Sequence, residues 1–166
     1  MVSFLDLSRK GGLMKKIFFS ALAVVLCLSI RVFAFELLQY RWGESKKDME
    51  AQLLQKGKTL EKASAPEVIV FHDDYMGSDR KVTLVFTPQS LALAIVYIEW
   101  SDIAVARDAV EALKKRYGDP YKLDSHNVHY EWNGGFSGEK IILDGNKLSI
   151  YGGEYYQRYS KEKAGG

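Results

Sequence analysis

The chain has a single cysteine in 166 residues, Cys27, and only three histidines. One thiol cannot build a disulfide framework or a thiolate metal cluster. The longest apolar run, 17–30, falls short of the roughly 20 residues a membrane span requires and stops at Arg31. A retained transmembrane helix, and hence stable membrane insertion, is not expected. Catalytic signatures are scarce as well, since neither Gly-x-Ser-x-Gly nor His-Glu-x-x-His occurs. Gly134-Gly135-x-x-Gly138 joins two strand-like segments, whereas a phosphate cradle needs a helix start after a strand, so Ser137 within it reads as a turn residue.

What is present begins with a leader. Lys15 and Lys16 precede the apolar stretch 17–30, and Val32 and Ala34 supply small residues at the positions a signal peptidase reads. Residues 14–34 are therefore expected to be a signal peptide cleaved after Ala34, giving a periplasmic or secreted product that begins at Phe35. Residues 1–13 fit no signal and read as a misassigned start or a leader extension. Lipidation of Cys27 is not expected, because Leu26 stands where such sites favour a small residue.

Cleavage changes the charge balance. Five of the 23 basic residues and one of the 21 acidic ones lie in 1–34, so residues 35–166 carry a net charge of −2. The basic character belongs to the leader, which argues against nucleic acid or anionic lipid as a partner. The remaining 132 residues suit one domain, 35–159, followed by a polar tail at 160–166 that reads as disordered.

Two helices carry their own start and stop signals. The first is expected over 45–56, capped by Ser45 with Asp48, stopped by Gly57 and buried through Met49, Leu53 and Leu54. The second runs from 101 or 102 to 117, with Ile103, Ala106, Val110, Leu113 and Tyr117 on one stripe and Gly118-Asp119-Pro120 after it. Elsewhere the period is two. Strands are expected at 67–72, 81–87, 91–100, 128–132, 139–143 and 147–151, with a loop over 73–79. The reading is an α+β fold of two helix-plus-three-strand repeats, forming an antiparallel sheet with helices on one face and the other face free for solvent or a partner.

Tyr40-Arg41-Trp42-Gly43-Glu44-Ser45 and Leu113-Lys-Lys-Arg-Tyr117-Gly118-Asp119-Pro120 resemble pieces of small, mostly uncharacterised exported bacterial proteins with a Trp-Gly-x-Ser opening and a Tyr-Gly-x-Pro closing. The helix-and-sheet order is similar to the tandem folds of β-lactamase-inhibitor-like proteins and of outer-membrane assembly lipoproteins. That resemblance implies protein binding. The chain departs from the lipoproteins in lacking their attachment cysteine and from typical inhibitors in its cysteine-free mature part. No catalytic residue carries over.

Three sites compete for function. The leading one is an aromatic binding surface made by Trp132, Phe136, Tyr151, Tyr155, Tyr156 and Tyr159, since aromatic side chains offer rigid apolar area with a polar rim. Its expected partner is an envelope or extracellular protein; a glycan stacked on the same rings is the alternative. A metal-dependent site at His72, Asp73 and Asp74, with Asp79 across the loop, is a further alternative, whereas His126 and His129 fall on opposite strand faces. Trp42 and Trp100, beside the helix starts, read as core anchors. Neither a catalytic residue nor a cofactor is expected, and the chain reads as a non-enzymatic binding protein.

Overall fold

Helix α1, Lys46–Gln55, starts where Ser45 accepts a hydrogen bond from the Asp48 N–H and its own hydroxyl reaches the Asp48 carboxylate at 2.7 Å. This and all later descriptions come from a computed structural model that describes residues 40–75, 77–134 and 138–165. The chain turns back after α1 through Gly57, whose φ of +75° suits glycine. Met49 and Leu53 are buried, but Leu54, expected in the same stripe, is 59% exposed. Helix α2, Ile103–Tyr117, is capped by Asp102, which accepts from the Ala104 N–H at 2.8 Å, and ends with Lys114, Lys115 and Arg116 at its negative pole. Ala106, Ala109, Val110 and Leu113 form its buried stripe, while Ile103 is exposed.

Four strands follow each of these helices: β1 Leu60–Glu61, β2 Val68–Tyr75, β3 Ser78–Phe86 and β4 Leu93–Trp100 after α1, and β5 Lys122–Asp124, β6 His129–Asn133, β7 Lys140–Asp144 and β8 Lys147–Tyr151 after α2. They form one antiparallel sheet in the order β1-β2-β3-β4-β8-β7-β6-β5. The fold is thus α+β with an antiparallel sheet. Six strands match the expected segments, and the short edge strands β1 and β5 are additional, so four strands rather than three follow each of the first two helices. The expected loop over 73–79 is a correction too. The β2–β3 ladder runs on to Tyr75 and Ser78, leaving only Met76-Gly77 between the strands.

Alternation of side chains divides the sheet into two faces. Phe71, Val82, Leu84, Val96, Ile98, Trp100, Ile141, Leu143, Leu148 and Ile150 share one face and are fully buried beneath α1 and α2. Each such side chain contributes about 1.5–3 kcal/mol relative to exposure. On the other, open face Lys81, Tyr97, Glu99 and Lys147 meet solvent.

A third helix, α3, Gly153–Ala164, lies on the open face at one end of the central strands, opposite α1 and α2. Tyr155 and Tyr159 pack there with Val68, Val85, Ile95 and Tyr151. Residues 160–164, expected as a disordered tail, are its last turns. Glu162 fastens them by accepting hydrogen bonds from the N–H groups of Gln89 and Ser90 at 2.7 and 3.3 Å. The start of the domain closes against this helix. A Cβ at Gly152 would overlap the Trp42 ring, a Cβ at Gly43 would overlap Tyr155, and Trp42 Nε1 donates to Glu139. Trp100 is a core residue, whereas Trp42 is half-buried in this seam. No helix among the described residues is long and apolar enough to cross a membrane.

Candidate functional site

The open face acquires its central feature from the register of β3, β4 and β8. Thr83 stands opposite Tyr97, and Tyr97 opposite Ser149; one step along, Lys81 faces Glu99 and Glu99 faces Lys147. These six side chains line a depression of about 360 Å³ on the open face. Tyr97 rises from its middle, 36% exposed. Lys147 and Glu99 form an ion pair at 3.5 Å.

Tyrosines bound this depression on the α3 side. Tyr151 meets Tyr97 edge-on at 6.4 Å between ring centroids, Tyr156 meets Tyr151 at 4.8 Å, and Tyr159 stacks on Tyr156 at 6.5 Å. Partial burial, followed by its neighbour Tyr151, pushes the Tyr97 hydroxyl up to about 12, so it remains a hydrogen-bond donor throughout the neutral range. The structure therefore brings together four of the six expected aromatic residues: Tyr151, Tyr155, Tyr156 and Tyr159.

Trp132 is not among them. It is fully buried on the inner face, donates to the Gly118 carbonyl at 3.0 Å and stacks on Tyr130, so it cannot form part of a surface. Phe136 lies outside the described residues. Tyr97, Thr83, Ser149, Lys81 and Lys147 were not anticipated. The signal was present: alternation in β4 assigns Tyr97 and Glu99 to one face, and a charged residue such as Glu99 in an otherwise apolar strand marks its solvent side.

His72, Asp73, Asp74 and Asp79 border one shallow depression of about 390 Å³, but their side chains do not converge on a common centre. His72 Nδ1 contacts Asp79 at 2.9 Å and Nε2 contacts Glu61 at 3.1 Å, and Asp74 caps the turn by accepting from the Gly77 N–H at 3.1 Å. Asp73, one residue from His72, points to the opposite face and bonds Lys58 and Arg80. The loop expected to gather these groups is a regular strand pair, and a strand cannot turn consecutive side chains to one ligand. Among the described residues no three His, Cys, Asp or Glu side chains converge as a metal site. His126 occupies a turn with its N–H on Asp124, and His129 contacts Glu131 and Asp144.

A second polar node lies at the β5 end of the open face. Glu131 accepts from Lys122 at 2.8 Å, from Tyr121 at 2.5 Å and contacts His129 at 3.1 Å, which together pull its carboxyl down to about 2. The hydrogen bond to Glu131 in turn raises His129 above its ordinary 6.5. Every group here is engaged by a neighbour, so the node holds β5 onto β6. Nothing in it is arranged around a reacting atom.

Comparison with known proteins adds no family: no family model, no curated protein and no solved structure matches the chain.

Proposed function

We propose that this chain is an exported, non-enzymatic binding domain that engages an envelope or extracellular protein through the open face of its sheet beside α3. In this reading residues 14–34 direct export and are removed after Ala34, and the domain acts in the periplasm or outside the cell. The observation that carries the proposal is the exposure of Tyr97 at the centre of the sheet. An antiparallel sheet can leave one face to solvent, and here that face centres on a tyrosine inside a polar rim, the layout of an aromatic anchor at a protein interface. The strand order, with β4 and β8 meeting at the middle and a helix before each set of four strands, is what a duplicated helix–sheet unit would give.

Sugar stacking is the weaker use of these rings, because it needs free ring faces. Tyr151 is edged by both Tyr97 and Tyr156, and the Tyr159 face is taken by Lys163 at 5.5 Å. The test is a photo-cross-linking amino acid placed at Tyr97 and, as a control, at Arg107 on α2. One envelope protein cross-linked from position 97 and not from 107, and lost on Tyr156→Ala, supports the proposal. Equal labelling from both positions, or none from 97, overturns it.

A further inference from the structure

β5 ends the sheet, and its outer edge meets no other strand among the described residues. All three of its residues are exposed, Leu123 at 60%. The opposite edge differs, since β1 has only two residues, Leu60 is half-buried and Glu61 is held by His72 and Lys81. An exposed sheet edge with an apolar side chain is a template for another strand.

The sequence of β5 is self-complementary when turned antiparallel. We infer that a second copy of this chain docks on this edge, β5 against β5, about a two-fold axis at Leu123. That operation places Lys122 opposite the second copy's Asp124, and each Leu123 opposite the other. Registers already present in the sheet extend the match: Glu131 lies beside Lys122, His129 beside Asp124, and Asp144 beside His129. Across the junction the open-face row becomes Glu131 and Lys122, then the second copy's Asp124, His129 and Asp144. Carboxylates alternate with nitrogen donors at every step. On the other face the row is apolar throughout, Leu143, Tyr130 and Leu123 meeting their counterparts.

Directly opposed charges of unlike sign and apolar pairs are the units of sheet stabilisation, and a two-fold axis repeats each one. Lys122 bonds Glu131 within its own chain but is 60% exposed, so it lies between two carboxylates in the pair. Asp124 accepts from Asn127 and from the His126 N–H and sits at the end of the strand, beside the approaching lysine. Three residues of pairing make a small interface, and a dissociation constant on the order of 100 µM fits that class.

The test is sedimentation equilibrium of the full chain, purified as the cell processes it, from about 10 µM to about 1 mM to bracket that constant. The wild type is expected to rise from monomer to dimer mass. Lys122→Asp and Asp124→Lys should each remain monomeric alone, because like charges then oppose each other, and an equimolar mixture of the two should dimerise. Leu123→Arg should remain monomeric with an unchanged melting curve, since the side chain is exposed. A wild type that stays monomeric over the whole range overturns the inference. So does either charge variant dimerising as the wild type does, or a mixture that fails to associate.

Discussion

Arg80 shows how a single buried charge constrains this fold. It is 4% exposed, lies 4.8 Å over the Tyr75 ring, and donates through Nη2 to Asp73 at 2.9 Å. Its Nε and Nη1, and Nε1 of the neighbouring Trp100, have no acceptor among the described residues. Burial pulls Asp73 upward, but hydrogen bonds from Lys58 and Arg80 outweigh it and hold the carboxyl below its ordinary range. Removing the carboxylate leaves the guanidinium buried and unpaired, whereas removing the guanidinium removes the desolvation cost with it. Asp73→Ala should therefore cost about 3–5 kcal/mol and Arg80→Met clearly less, as read by urea unfolding; the reverse order would refute this account. Gly152→Ala places a methyl group in the Trp42 ring and should cost about 1–3 kcal/mol by the same measurement.

At the scale of elements, α3 matters most and was the least legible. Its sequence, GEYYQRYSKEKA, is polar and its first residue, Gly153, follows another glycine, so no helix is read there and residues 160–166 read as a tail; only the spacing of Tyr155 and Tyr159 betrays one packed stripe. What holds its end is the contact of Glu162 with the turn at Gln89 and Ser90, 72 to 73 residues away, which no local pattern encodes. Glu162→Gln weakens that contact, so amide exchange at Gln89 and Ser90 should accelerate while the β4 amides keep their protection. β1 and β5 were missed because two or three residues carry no measurable period. The long elements were readable through Ser45, Asp102 and Gly118, whose chemistry is local. The aromatic cluster was half readable: its α3 members were visible as residues, while Tyr97 joined them only through cross-strand register.

For the whole molecule, charge placement sets the pH range of stability. Glu131 and Asp73 titrate below their ordinary 4.5 and 3.8. Each stabilises the fold above its ordinary value and loses that contribution as pH falls through its folded one. His129 works in the opposite sense: its raised value contributes below 6.5, and the contribution fades as pH rises through the folded value. The urea midpoint should fall steeply from about pH 4.5 towards pH 2, and decline gently above about pH 6.5. His129→Gln should abolish the alkaline decline and spare the acidic one; an unchanged alkaline slope would assign that decline to another group.

The seam between Trp42 and Gly152 also orders events in time. Each ladder within β1–β4 and within β5–β8 joins strands adjacent in sequence, so these can form as the chain emerges. The β4–β8 ladder, the Trp42 contact and the Glu139 bond must wait for residues near the C-terminus. During synthesis the first half can therefore build its strands but cannot be sealed. A chain halted before Lys147 would present Trp42 and the β4 edge uncovered, a state the finished domain never shows.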